Sequence, residues 1–172
     1  MHLYFIRHGL YESTSTNRNL RGEYDPPLSS TGRQQAEKVA RRLKENPVAA
    51  LYTSDFARAL ETAERLQAHI QCEWSVQPLL REIFSSSPVE AKRQQLIALT
   101  DWLRHLPLQH NHVVLVTHGN LIRLIADTLL DTNDQKRSTE LGPVGEGSIM
   151  VIEMEEERVR LHTYNDTSHL AE

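Results

Sequence analysis

Leu3-Tyr4-Phe5-Ile6-Arg7-His8-Gly9 and Val113-Val114-Leu115-Val116-Thr117-His118-Gly119 are the two stretches on which the fold turns. Each is a short apolar run that breaks into a His-Gly pair, the pattern of a buried strand ending in a turn. Between and after them, helical patterns alternate with further apolar runs. That alternation predicts an α/β chain: a three-layer sandwich with a mostly parallel sheet, helices on both faces and a C-terminal antiparallel hairpin.

The first strand is read over 2–6, followed by a polar loop to Pro27 in which Gly22, Asp25 and Pro26-Pro27 supply turn chemistry. Ser29, Ser30 or Thr31 can cap a helix with Ala36, Val39, Ala40 and Leu43 on one face. Val48 to Tyr52 reads as a second strand. Ser54 or Asp55 is expected to cap a helix buried through Phe56, Leu60, Ala63 and Leu66. A short strand at 73–76, a serine break at 85–88, and a helix carrying Leu96, Leu99, Trp102, Leu103 and Leu106 up to Pro107 come next. A strand at 112–117, a helix at 121–130, a Gly/Pro-rich loop over 131–147 and a hairpin at 148–153 and 158–164 complete the reading. The 172 residues are read as one domain, 1–172, without repeat or linker.

Composition narrows the function. Hydrophobic content is 39%, charged content 24% and net charge −4, which argues against a general nucleic-acid binder. No window approaches membrane-spanning length. The lone cysteine, Cys72, fits a reducing compartment and reads as structural, so the expected location is the cytoplasm.

Ligands of open α/β sheets bind beyond the carboxyl ends of the strands. The residues leaving those ends are Arg7-His8-Gly9, Thr53-Ser54 and His118-Gly119-Asn120, and Arg58 can point back into the same crevice. Two arginines, two histidines and helix N-termini suit a phosphate dianion, whose oxygens match guanidinium forks. The glycines after each histidine are expected to allow a sharp turn and close approach to a ligand. Glu82 is the candidate proton donor. Ser54 and Thr62 read as capping and packing residues. His110-Asn111-His112 reads as a solvated loop rather than a metal site, 153–157 as a charged hairpin end, and His169 as structural.

In these residues the chain resembles the histidine phosphatase superfamily, the phosphoglycerate mutase-like proteins. The resemblance rests on Arg7-His8-Gly9, Arg21-Gly22-Glu23-Tyr24-Asp25-Pro26-Pro27-Leu28-Ser29, Tyr52-Thr53-Ser54-Asp55-Phe56-Ala57-Arg58-Ala59, Leu80-Arg81-Glu82 and Thr117-His118-Gly119-Asn120, in that order. It implies that His8 is the nucleophile, that Arg7, Arg58 and His118 hold phosphoryl oxygens, and that Glu82 is the acid and then the base. It also implies substrate contacts from Asn17, Arg21, Gly22 and Asn120, with neither metal nor cofactor. His118, facing the phosphate, is expected to be the cationic histidine.

Three departures shape the expected activity. Leu10-Tyr11 follows the first motif, Ile83-Phe84-Ser85-Ser86-Ser87-Pro88 follows Glu82, and the interval from Glu82 to His118 holds only one helix. A reduced cap and an open pocket follow, which disfavours a mutase that must retain its intermediate. The expected function is a metal-independent phosphomonoesterase of the α-ribazole or broad-specificity type, acting on a small phosphorylated metabolite. The alternatives are a phosphoprotein phosphatase and a catalytically weak phosphate-binding regulatory protein; oligomeric state is left open.

Overall fold

Side-chain alternation along the first strand sets up both layers of the core. Leu3 and Phe5 point to one face, Tyr4 and Ile6 to the other, and all four are buried. The computed structural model describes residues 1–107, 111–130, 141–155 and 158–171. Strands β1 (His2–Arg7), β2 (Ala50–Thr53), β3 (Glu73–Val76), β4 (His112–Thr117), β5 (Ile149–Met154) and β6 (Val159–Asp166) form one sheet in the order β3-β2-β4-β1-β5-β6. The first four strands are parallel, whereas β5 and β6 join antiparallel.

Helices α1 (Ser30–Leu43) and α2 (Ala57–Ile70) cover the Tyr4/Ile6 face through Val39, Leu43, Ala59 and Leu66. Helices α3 (Val89–Arg104) and α4 (Gly119–Leu130) cover the other through Leu99, Leu103, Leu121 and Ile125. The architecture is therefore the expected three-layer α/β sandwich. Among the described residues no helix is long and apolar enough to cross a membrane.

Several boundaries differ from the sequence reading. The second strand starts at Ala50, and Val48 and Ala49 lead into it; Ala49 N–H still donates to His112 O at 2.9 Å. Helix α2 starts at Ala57 without a side-chain cap of its own. Instead Asp25, distant in sequence, accepts from Ala57 N–H at 2.8 Å. The buried stripe is correspondingly Arg58, Ala59, Thr62, Ala63 and Leu66, with Leu60 half-buried. Ser29 does cap α1, accepting from Gly32 N–H at 3.1 Å. Helix α3 ends at Arg104, short of Pro107, while α4 begins two residues earlier than expected. His110, residues 131–140 of the expected loop, and Glu156-Glu157 lie outside the described residues.

Strand order locates the crevice. β1 lies between β4 and β5, so the chain leaves β1 in one direction and returns to its other side, a topological switch point. Arg7 pairs with Thr117 across β1 and β4. The next residue of each strand is a histidine, so His8 and His118 must emerge side by side.

Candidate active site

The two histidine rings lie 5.0 Å apart, edge to face, and both are buried. His8 Nδ1 is 2.8 Å from Gly9 O, a hydrogen bond that requires the proton on Nδ1 and leaves Nε2 with its lone pair. Arg58, the second residue of α2, donates from Nε to that Nε2 at 3.2 Å. Its guanidinium lies 4.7 Å from the centre of the Phe56 ring and 5.7 Å from that of Tyr11. Arg58 is only 6% exposed, and its nearest anion is Asp25, with Nη1 3.7 Å from Oδ1.

His118 is fully buried and uses Nε2 with Ser54 Oγ, 2.9 Å away. Arg7 reaches over Gly119: a Cβ there would lie 3.2 Å from Arg7 Nε. Its terminal nitrogens are engaged by Val144 O and, at 2.7 Å, by Glu146 Oε1. Three buried nitrogens, Arg7 Nε, Arg58 Nη1 and His118 Nδ1, make no hydrogen bond to the described residues. Buried donors are almost always paired, so a group of them marks the place of an incoming acceptor.

Electrostatics follow from burial and from this density of cations. Burial first, then Arg58 and Arg7, holds the His8 imidazole well below the usual histidine range. His118 is depressed in the same direction by burial and by His8, Arg58 and Arg7. Both rings are thus neutral near pH 7 in this state, and a cationic His118 requires an anion to arrive beside it. Glu82 moves the other way. Burial raises its carboxyl above the ordinary glutamate range, opposed by the backbone N–H groups of Ile83 and Leu121 and by both arginines.

Glu82 borders a cleft of about 350 Å³ with Arg7, Gly119, Asn120, Arg123, Pro143 and Val144. Arg7, Glu82 and Asn120 thus line this cleft, while His8, Arg58 and His118 form a buried cluster beside it, His118 followed directly by Gly119, over which Arg7 lies. Arg21 stands at the flank of the cluster, its guanidinium 5.8 Å from the centre of the Phe56 ring that Arg58 and His118 also meet. Arg21 pairs with Glu23 at 2.7 Å and with Asp55 at 3.0 Å, and Asp55 also takes Arg81 at 2.7 Å. Gly22 is a turn residue with φ of 77°, and Asn17 is an exposed loop residue whose carbonyl accepts from Asp25 N–H at 2.9 Å.

Four residues gain roles that the sequence reading did not give them. Ser54 positions His118, though its hydroxyl had been read as a helix cap. Thr62 Oγ1 accepts from Gly9 N–H at 3.2 Å and donates to Arg58 O at 2.8 Å, tying the histidine turn to α2. Asp25 caps α2 and faces Arg58, while Glu146 clasps Arg7. Gly9 does not adopt a positive φ; it is required because a Cβ would meet Gly32 O at 2.3 Å, where α1 packs on the turn. His169, as expected, is structural: its Nε2 lies 2.9 Å from Gly147 O.

The family description "Histidine phosphatase superfamily (branch 1)" matches residues 3–95 and 86–167. The chain belongs to the histidine phosphatase superfamily. The resemblance read from its motifs thus holds. The probable phosphoglycerate mutase GpmB of Photorhabdus laumondii is 37% identical over 83 residues, 48% of this chain and 38% of that protein. The match thus spans well under half the length of that relative. The alpha-ribazole phosphatase of Shigella flexneri superposes with a TM-score of 0.78 at 19% identity, covering 96% of each chain. A mycobacterial glucosyl-3-phosphoglycerate phosphatase, solved with VO3, gives 0.75 at 23% identity over 96% of this chain and 99% of its own. At such identities these superfamily structures establish the shared fold.

Proposed function

We propose that this superfamily member is a metal-independent phosphomonoesterase that works through a phosphohistidine at His8. The observation that carries the reading is His8 Nε2 beside Arg58 Nε, with the buried Arg7 Nε, Arg58 Nη1 and His118 Nδ1 making no hydrogen bond to the described residues. A phosphoryl group among these three satisfies all of them at once and places phosphorus against the lone pair.

In the first half-reaction the N–P bond forms at His8 Nε2 as the ester P–O bond breaks. Glu82, whose carboxyl burial raises above the ordinary glutamate range, gives its proton to the departing oxygen. In the second, water attacks phosphorus, Glu82 takes the proton back, and the N–P bond breaks to release inorganic phosphate. Arg7, Arg58 and His118 stabilise charge on the equatorial oxygens, Arg58 once its fork has turned from His8 to the phosphoryl group. His118 becomes the cationic partner only while the dianion is present, which offsets the desolvation that otherwise keeps it neutral. The small open cleft beside Glu82 suits a small phosphorylated metabolite in water-accessible surroundings.

Hydrolysis of an aryl phosphate and of a panel of phosphorylated metabolites tests the proposal. Acid-labile labelling of the enzyme from a phosphate donor is expected, and His8→Ala should abolish the label and lower turnover by about 10³-fold or more. Phosphopeptides form a second arm, and preference for them would favour a phosphoprotein phosphatase. Phosphate binding without label or turnover would leave a phosphate-binding regulatory protein instead.

A further inference from the structure

At the opposite end of β1 a second group of imidazoles collects. The sheet register sets His112, His2 and Glu153 side by side across β4, β1 and β5, and pairs Glu153 with Arg160 on β6. His162, two residues beyond Arg160, brings its Nε2 to 3.0 Å from Glu153 Oε2. One side-chain donor atom from each of His2, Glu153 and His162 lies within 4.8 Å of the other two. His2 is stacked on His112 at 5.1 Å and 14°, and His112 is held in turn by Tyr4 OH at 2.9 Å. Three of the nine histidines of the chain thus gather at this end of β1, their rings within 6 Å of His2.

We propose that His2, Glu153 and His162 form a binding site for a d-block divalent ion of the Zn2+ type, with His112 a positioning residue that fixes the His2 ring. Two imidazoles and a carboxylate are a borderline-soft donor set, matched to Zn2+, Ni2+ or Cu2+ and poorly to Mg2+ or Ca2+. Metal–nitrogen bonds of about 2.0–2.1 Å set tetrahedral ligand separations near 3.4 Å, so the three side chains need close in by only about an ångström. Stacking limits the freedom of His2, and its hydrogen bond already aims His162 at the carboxylate. The ion would tie β1 to the β5–β6 hairpin. The other end of β1, where Arg7 stands, is about 17 Å away at strand rise, so the site lies outside the phosphoryl chemistry.

The test titrates Zn2+ into the full chain by calorimetry, follows thermal unfolding, and records the ligand-field absorption of Co2+. One tight equivalent, a raised unfolding midpoint and a tetrahedral Co2+ spectrum are expected. His2→Gln, Glu153→Gln and His162→Gln should each weaken binding by about tenfold or more, while metal-free hydrolysis by His162→Gln stays at the wild-type rate. His112→Ala should weaken binding less and leave the tetrahedral spectrum in place. Zn2+ binding that survives the double variant His2→Gln/His162→Gln, that vanadate displaces, or that excess Mg2+ competes away overturns the proposal, as does the absence of heat and of Co2+ absorption.

Discussion

Arg58 directs its Nε to His8 Nε2 across 3.2 Å, so a permanent cation sits on the lone pair that the proposed chemistry needs. Because burial and Arg58 together depress the histidine, that lone pair stays unprotonated, and Arg58 can turn its fork to phosphoryl oxygens as the substrate arrives. Arg58→Lys keeps the charge but loses the planar fork and the Nε donor. Turnover is expected to fall about 10²–10³-fold, the usual effect of removing one oxyanion donor. NMR titration of Arg58→Gln should show the His8 pKa moving up towards the ordinary histidine range, since one of its depressing charges is gone. An unchanged His8 titration would remove Arg58 from its electrostatic control.

The opposite shifts of His8 and Glu82 give the pH profile a definite sign. The proposed nucleophile is lost only when His8 is protonated, and its pKa is depressed, so the acidic limb lies well below pH 6.5. The proposed acid is lost when Glu82 ionises, and its pKa is raised, so activity survives above the ordinary glutamate range and then falls as pH climbs. kcat/KM is therefore expected to follow a bell whose acidic limb belongs to His8 and whose alkaline limb belongs to Glu82. Glu82→Gln should erase the alkaline limb and lower the rate by about 10²–10⁴-fold on an alkyl phosphate. An aryl phosphate with a good leaving group, which needs little protonation, should suffer less in its first step.

The parts of the site legible in the sequence are those the sheet register dictates. Arg7, His8 and His118 follow apolar runs that read as strands, and their place at the strand ends was readable from the runs alone, while the pairing of β1 with β4 is seen only in the structure. Arg58 was readable as a residue facing the crevice, although α2 begins later than expected because Asp25, thirty-two residues back, supplies its cap. A capping hydroxyl next to the helix was the simpler reading; Ser54 Oγ meets His118 and accepts from Phe56 N–H at 3.4 Å, one residue ahead of the first helical N–H. Gly9 was legible as a constrained position, but for the wrong reason: its neighbour is the backbone of α1. Glu146 left no local signal, since it meets Arg7 only through the turn that brings the start of β5 beside β1. Sheet pairing is equally hidden for the histidines. His112 was weighed with its sequence neighbour His110, while the sheet pairs it with His2.

Glu146 supplies a third prediction. It holds Arg7 at 2.7 Å while remaining partly exposed, and so places a carboxylate on the guanidinium next to the proposed phosphoryl position. Like charges a few ångströms apart at a partly solvated site oppose each other by about 1 kcal/mol. Glu146→Gln preserves the hydrogen-bonding shape and removes the charge. KM and the inhibition constant for inorganic phosphate should each fall about fivefold at low salt, with kcat little changed, and the difference should shrink as ionic strength rises. If phosphate binds more weakly instead, Glu146 serves mainly to orient Arg7.

The contact between the His8 turn and α1 leaves no room for a side chain. A Cβ on Gly32 would lie 1.9 Å from Leu10 O, and one on Gly9 would lie 2.3 Å from Gly32 O. Both obstacles are backbone, so relief requires α1 to retreat or the 8–10 segment to move, and that segment carries the proposed nucleophile. Gly32→Ala is expected to destabilise the fold by about 3 kcal/mol, the upper end of ordinary overpacking. Turnover of the fraction that remains folded should fall as well, because Gly9 N–H and Thr62 lose their register. Gly22→Ala is the control: its φ of 77° is strained for alanine, yet nothing stands within 4 Å of the new Cβ. That strain amounts to only about 1–2 kcal/mol and lies away from the histidines. Urea unfolding and initial rates on both variants separate the cases, and a Gly32→Ala protein as stable and active as Gly22→Ala would show that α1 can yield without disturbing His8.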